Sequence, residues 1–205
     1  MAEATRWRIE RLTRERGDDY LRFLDHERGP AFADNPEWAK CYCHYYEVPP
    51  ALVWSDFDGA ANHLAMAARI AAGEMEGYLA YDGDTVVGWV NAQPYAKLPY
   101  ACARMRIAQP PLDVVPIDAA AIVCFVVAPA FRRQGVARAL LDGALANLAA
   151  RGIVLVDAFP WNTEAGNAAA TDHYHGTLSM FLHAGFAPIA THEDVTVVRK
   201  RLAAH

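Results

Sequence analysis

The sequence predicts an α/β fold built on a mixed sheet, and three features support this class. Residues Ala121–Val127 are almost continuously apolar and β-branched, as in a central strand buried on both faces. An amphipathic helix over Gly135–Ala150 and a second apolar strand over Ile153–Phe159 follow, which is the order of a parallel strand crossover. The Asp82–Asp84 turn, centred on glycine, separates two β-rich runs and predicts an antiparallel hairpin.

The remaining elements follow from apolar periodicity and turn residues. Strands are predicted at Trp7–Leu12, Gly77–Tyr81 and Thr85–Ala92, with two closing strands within Ala187–Leu202 that break near His192–Asp194. Further helices are predicted at Asp18–Glu27, Gly59–Glu76 and Gly176–His183. Residues 29–50 are irregular and aromatic, and residues 94–118 form a long proline-punctuated connection, whose length suggests a functional loop.

Size and charge limit the classes of function. A chain of 205 residues fits a single domain, residues 1–205, and 54% hydrophobic with 21% charged residues is typical of a soluble globular protein. The net charge of −5 disfavours general attraction to nucleic acid or anionic lipid. The charged segment Met1–Glu10 lacks an apolar signal core, and no run of ~20 apolar residues follows. We therefore expect a cytoplasmic protein without nucleic-acid or membrane partners.

The cysteines are predicted to be free thiols. Cys124 lies in an apolar run where a small buried side chain is ordinary. Cys41, Cys43 and His44 could suggest a metal, but no second cluster of ligands completes a tetrahedral set. We expect no bound metal.

A basic, glycine-containing turn carries the strongest functional signal. It lies between the strand that ends at Val127 and the helix that follows Gly135, and it contains Arg132, Arg133 and Gln134. A helix N-terminus offers unpaired N–H groups and the positive end of its dipole, and glycine lets a diphosphate approach the backbone. Arginine side chains suit paired phosphate oxygens. The turn therefore predicts a phosphate site, although any single Arg-Arg turn could also be a solvated surface.

The context of this turn resembles the acetyl-coenzyme A signature of the GNAT acyltransferase superfamily, Arg/Gln-x-x-Gly-x-Gly/Ala. Arg132, Gly135 and Ala137 match it, after a Val-x-x-Pro strand end. The resemblance extends over residues 77–186, from the hairpin to Ala184-Gly185-Phe186. It implies a mixed sheet of about seven strands, flanked by helices and splayed at a cofactor cleft. Residues 77–202 would form the acetyl-coenzyme A core, and residues 1–75 would shape the acceptor site.

The resemblance also implies roles for single residues. The backbone amides of the signature turn and first helical turn would hold the pyrophosphate, and the strand end would bond the pantetheine arm. Asn162 matches a position that often contacts the cofactor. The residues assigned to cofactor binding are Phe125, Val126, Val127, Arg132, Arg133, Gln134, Gly135, Val136, Ala137 and Asn162.

The catalytic assignments are less direct. Direct attack of an amine requires an oxyanion donor, and the Val127 N–H is the candidate. The tyrosine that many superfamily members use as the acid corresponds here to Phe181, so Tyr174, with His175 and Ser179 nearby, is the candidate replacement. Asp157, preferred over Asp118, is the candidate base because a charge inside a strand needs a partner if it faces inward.

The expected activity is N-acetyl transfer from acetyl-coenzyme A to a small amine, in a chain that could dimerise as many superfamily members do. The aromatic residues around Tyr42–Tyr46, together with Trp38, either plug the core or form a π-rich acceptor pocket. A protein or peptide acceptor, a non-catalytic acyl-coenzyme A sensor, and a nucleotide-binding protein of another fold are the alternatives. The last lacks a Walker or dinucleotide glycine motif.

Overall fold

Seven strands form one sheet in the part of the chain that this computed structural model describes, residues 6–162 and 174–203. In chain order the strands are β1 (Arg8–Arg11), β2 (Tyr78–Asp82), β3 (Thr85–Pro94), β4 (Ala119–Val127), β5 (Leu155–Ala158), β6 (Ala187–Thr191) and β7 (Thr196–Arg201). Their spatial order is β1-β2-β3-β4-β5-β7-β6. Only β4 and β5 pair in parallel among these strands, so the sheet is mixed as expected.

The helices of the described residues are α1 (Gly17–Phe23), α2 (Pro36–Ala39), α3 (Gly59–Ala72), α4 (Ala101–Arg104), α5 (Val136–Ala150) and α6 (Leu178–His183). Helix α5 packs on one face of the sheet over β1, β2 and β3, and α1 lies on the opposite face with α3. Helix α3 begins at Asp58, whose carboxylate accepts the Ala61 N–H, and ends at Gly73 in the left-handed conformation.

A β-bulge divides β4 at the centre of the sheet. Asn91 pairs with Cys124 and Ala92 with Ile122, which leaves Val123 as the extra residue. Val123 and Cys124 consequently pack into the same core layer although they are consecutive. The pairing of β4 with β5 ends at Ile122 and Ala158. The two strands therefore separate beyond this point, and the last third of β4 borders a cleft.

The sequence predicted each strand and each long helix close to its observed position. The largest differences are at ends, since α1 stops at Phe23 and β5 covers only Leu155–Ala158. Residues 29–50 and 94–118 contain only short helical turns and the four-residue helices α2 and α4. No described helix is long and apolar enough to cross a membrane.

Candidate functional site

The cleft beside β4 contains a cavity of about 330 Å³. One wall is the strand end Phe125–Val127, and the other consists of the basic turn with the first residues of α5. Gly176, Thr177 and Met180 close a third side. The end of β4 that no longer pairs with β5 and the start of α5 thus border the same cavity. The sequence predicted that a phosphate-containing ligand would bind between these two elements.

The backbone of the basic turn is arranged to bind an anion. Arg133 has a φ of 61° and Gly135 a φ of 86°, both in the left-handed region, and α5 begins at Val136. No side chain of residues 6–162 or 174–203 caps this helix, and its first turn contains no acidic residue. Within that part of the chain its first N–H groups have no side-chain acceptor, and Val136 and Ala137 line the cavity. A diphosphate here would gain hydrogen bonds and the favourable end of the helix dipole.

The arginines divide between two roles. Arg132 donates its Nε–H to the Val127 carbonyl over 3.0 Å, and its guanidinium forms an ion pair with Asp34. The hydrogen bond from Arg132 lowers the pKa of the Asp34 carboxyl. We predicted that the positive charge of the Arg132 side chain would attract a phosphate. This prediction needs correction, because the Asp34 carboxylate already balances that charge. Arg133 is exposed and lines the cavity, as does Arg138.

The Gln134 side chain is held outside the cavity, and the role expected of its backbone N–H stays a prediction. Its side chain donates to the Ala130 carbonyl over 2.8 Å, and its own carbonyl accepts the Trp7 indole N–H over 3.2 Å. Gln134 is not among the residues that line the cavity. It fastens the turn to the N-terminal part of the chain.

The end of β4 directs one amide into the cleft. The Ala128 N–H donates to the Val87 carbonyl, so the alternation of the antiparallel ladder turns the Val127 N–H away from β3, toward the side that β5 has left. The Phe125 N–H has the same direction, but the Tyr174 carbonyl accepts it. This N–H already has a protein acceptor, and contact of the pantetheine arm with another backbone group of Phe125 stays a prediction. The Val127 N–H points away from β3, and its role as oxyanion donor stays a prediction.

A second chamber of about 220 Å³ adjoins the first. Its walls come mainly from residues 32–54, with Cys124, Val126 and Tyr174. Four residues line both spaces: Phe32, Trp38, Val126 and Tyr174. Tyr45, Tyr46 and Trp38 thus border a cavity next to the cleft, as the pocket interpretation expects, whereas Tyr42 is fully buried in the core.

Tyr174 lies at the junction of the cleft and the chamber. Its ring contacts the Trp38 ring edge-on at 4.9 Å between centroids. Burial raises the pKa of the Tyr174 hydroxyl, and a hydrogen bond with the Trp161 side chain opposes this shift. The hydroxyl is consequently a proton donor at neutral pH. Phe181 is fully buried between Phe125 and Phe186, so it has a packing role.

His175 and Tyr46 form a buried pair that the sequence did not connect. The His175 Nδ1 lies 2.9 Å from the Phe159 carbonyl, which can only accept, so Nδ1 carries the proton. Nε2 then accepts the Tyr46 hydroxyl over 2.9 Å. This pair anchors the wall of the chamber to the segment that carries Tyr174. The run of aromatic residues in the sequence drew attention to Tyr46. Its contact with His175 could not be predicted, because the two residues are 129 positions apart.

This pair predicts a pH dependence of stability. Burial lowers the pKa of His175 from 6.5 to about 4. The folded state therefore binds fewer protons than the unfolded state, and stability is lost as the pH falls from 6.5 to 4. The loss is about 3 kcal/mol from this group. Urea unfolding of His175→Gln should show a flatter decline than the wild type over this range, whereas the exposed control His183→Gln should keep the wild-type slope. Equal slopes in all three proteins would contradict the assignment.

Two further predicted residues have structural partners. Asp157 is fully buried, accepts two hydrogen bonds from Arg199 at 2.7 and 2.9 Å, and accepts another from the Tyr95 hydroxyl at 2.8 Å. It borders neither cavity, so the general-base interpretation was wrong. The Asn162 side chain bonds the carbonyls of His192 and Glu193. It fastens the β6–β7 turn and does not face the cleft.

The described residues give the cysteines no complete set of metal ligands. Cys41, Cys43 and Cys124 line the second chamber, but the described residues hold no group of three or more His, Cys, Asp or Glu side chains suited to a metal ion. Burial raises the pKa of the Cys41 thiol to about 12. A protonated thiol is neither a good ligand nor a good nucleophile at neutral pH.

The sequence model of the acetyltransferase (GNAT) family matches residues 35–175 of the chain. This match spans the strands β2 to β5, the helices α2 to α5 and the basic turn. No curated protein sequence matches the chain significantly.

Solved structures share the fold at low sequence identity. The GNAT domain of PAT from S. lividans has 18% identity and a TM-score of 0.55, over 96% of this chain and 90% of that one. PaiA N-acetyltransferase from Thermoplasma acidophilum, solved in complex with coenzyme A, has 11% identity and a TM-score of 0.53, over 96% and 99%. A ribosomal-protein-alanine N-acetyltransferase from Brucella melitensis has 16% identity and a TM-score of 0.50, over 95% and 99%.

Proposed function

The chain belongs to the GNAT acetyltransferase family, and from this premise we propose that it transfers an acetyl group from acetyl-coenzyme A to the primary amine of a small molecule by direct attack. One observation carries the proposal. Within the described residues no side chain caps the N-terminus of α5, which faces a cleft that shares Tyr174 with an adjoining chamber lined by aromatic residues. A phosphate-bearing donor and an amine acceptor can therefore approach one another from opposite sides of a single junction.

The residues of the cleft fit the donor. The amides of the turn and of the first turn of α5 would hold the pyrophosphate, with Arg133 adding charge from the rim. Val126 and Val127 would flank the pantetheine arm at the end of β4. Acetyl-coenzyme A supplies an activated thioester when bound.

Two groups would act on the reacting atoms. The Val127 N–H would donate to the thioester oxygen as negative charge develops there. The Tyr174 hydroxyl, protonated at neutral pH because its pKa is raised, would donate to the departing thiolate. The cytoplasmic location and the homodimer remain predictions.

The shape of the acceptor side supports a small molecule over a peptide. A peptide N-terminus needs an open groove with free backbone groups, whereas aromatic side chains of residues 32–54 wall the chamber. Calorimetric titration with acetyl-coenzyme A and coenzyme A, followed by thiol release with an amine panel, tests the proposal. Micromolar binding with turnover of a small amine is expected. Binding without turnover of any amine would favour a sensor, and absence of binding would refute the donor site.

Tyr174→Phe tests the proposed acid. We expect kcat to fall roughly 10- to 100-fold, because a positioned proton donor contributes about this much or more. The Kd for acetyl-coenzyme A should stay within about twofold, since the backbone carbonyl of residue 174 that bonds Phe125 is unchanged. Tyr81→Phe, which removes a hydroxyl bonded to Asp19 at the other end of the sheet, is the control. A Tyr174→Phe enzyme with wild-type kcat would remove Tyr174 from the mechanism.

A further inference from the structure

Half of the residues that line the second chamber are aromatic. Its aromatic residues are Phe32, Trp38, Tyr45, Tyr46, Trp54 and Tyr174. The Tyr45 ring meets the Tyr46 and Trp54 rings edge-on at 5.3 Å each, and Trp38 meets Tyr174 at 4.9 Å. These packed rings make a preformed wall, which favours a ligand with a flat apolar ring. A volume of about 220 Å³ is below the ~300 Å³ at which drug-sized sites begin, so the ligand is expected to be about as large as an amino acid.

Two opposite charges interrupt this apolar lining, both beside α2. Glu37 and Lys40 are three positions apart, which places them on one face of the helical turn, and both line the chamber. Lys40 is half-buried. No acidic side chain in residues 6–162 or 174–203 forms a salt bridge with the Lys40 ammonium. A half-buried cation in an apolar pocket is stabilised by an anion that a ligand brings.

The charged pair lies close to the reaction site. Trp38 stands between Glu37 and Lys40 in the sequence, lines both spaces, and contacts the Tyr174 ring. A ligand whose charged groups contact Glu37 and Lys40 would therefore lie near the junction, and the rest of the ligand could extend between the aromatic walls. A ligand with a carboxylate and an amine on one carbon offers a partner to each of these two side chains.

We propose that the acceptor is an aromatic α-amino acid, an inference that rests on the proposed acetyl transfer. Its carboxylate binds Lys40, its ring occupies the aromatic chamber, and its amine points to the junction. The ammonium loses one proton to Glu37, which passes it to solvent. The neutral nitrogen bonds the carbonyl carbon, the carbon–sulfur bond breaks, and Tyr174 protonates the thiolate. The nitrogen then releases its surplus proton, which restores Tyr174 through solvent, so the net products are the N-acetyl amino acid, coenzyme A and one proton.

The chamber itself assists the first of these steps. Desolvation among aromatic side chains disfavours an ammonium ion, so burial in the chamber lowers the pKa of the bound amine. Glu37 is exposed and can pass the proton to solvent, so no buried carboxylate base is required. Asp157 pairs with Arg199 and does not line the cleft, which is consistent with a reaction that needs no buried carboxylate base.

Matched acceptors test the inference. Thiol release is measured with L-tryptophan and L-phenylalanine, with their decarboxylated analogues tryptamine and phenethylamine, with L-alanine, and with an alanine-initiated peptide. We expect kcat/KM for the two aromatic amino acids to exceed that of each other acceptor at least about 10-fold, the size of one good charge-assisted contact. Equal or better turnover of the decarboxylated amines, of alanine or of the peptide overturns the inference.

Variants at Lys40 separate recognition of the carboxylate from general damage. Lys40→Met should raise KM for L-tryptophan about 10-fold or more and leave KM for tryptamine unchanged, while Lys40→Arg should retain most of the affinity for L-tryptophan. Equal changes for both acceptors would overturn the role of Lys40. Calorimetry with acetyl-coenzyme A distinguishes the two levels of failure: bound donor without turnover of aromatic amino acids refutes only this inference, and absence of donor binding refutes the proposed function.

Discussion

Replacement of Gly135 by tryptophan is expected to raise the Kd for acetyl-coenzyme A at least about 100-fold, as measured by calorimetric titration. Gly135 lines the cavity at the point where α5 begins, with a φ of 86°. An indole there occupies the space in front of the uncapped N–H groups and blocks approach of the pyrophosphate. The free protein has room for the added side chain, because a Cβ at Gly135 meets no atom within 4 Å.

Gly152 provides a matched control. It has a φ of 85°, an added Cβ there also meets no atom within 4 Å, and it follows the other end of α5. Both tryptophan variants should lose about 1–2 kcal/mol of stability, because an L-residue is strained in the left-handed region. Only Gly135→Trp should lose affinity. Similar affinities in the two variants would show that the turn does not hold the donor.

Arg199→Met is expected to lower the free energy of unfolding by about 3–5 kcal/mol, because it leaves the fully buried Asp157 without its cation. Tyr95 would remain as a single neutral donor to this carboxylate. For a chain of this size the melting temperature should fall by roughly 6 to 20 °C, measured by calorimetry. This outcome would confirm a structural role for Asp157 in joining β5 to β7 and to the segment before β4.

Arg201→Met is the control on the same strand. Arg201 pairs in register with Leu155, two positions from the Asp157–Arg199 pair, but its ion pair with Asp113 is exposed by 58% and 59% on the two side chains. Exposed pairs contribute little because water and salt screen them. A melting temperature close to that of the wild type is expected. If the two arginine variants were equally stable, burial of Asp157 would not be the cause.

The sequence by itself determined the elements and the basic turn that precedes α5. Helix α5 and strand β4 follow from apolar periodicity within short windows, and the basic turn lies between them in the chain. The left-handed φ at Gly135 and the uncapped start of α5 are local consequences of these residues. Such features are predictable because the atoms that cause them are neighbours in sequence.

The tertiary structure alone decided which side chains are available for chemistry. Arg132 and Asp34 pair across 98 positions, Asp157 and Arg199 across 42, and Tyr46 and His175 across 129. Each partner occupies a charged or polar group and so restricts its role, and no local pattern specifies which distant group it meets. The bulge at Val123 similarly depends on pairing with β3, and it lies next to the point where β4 and β5 stop pairing. Spacing along a chain fixes backbone conformation, whereas burial and pairing, which set the reactivity of a side chain, depend on contacts made only after folding.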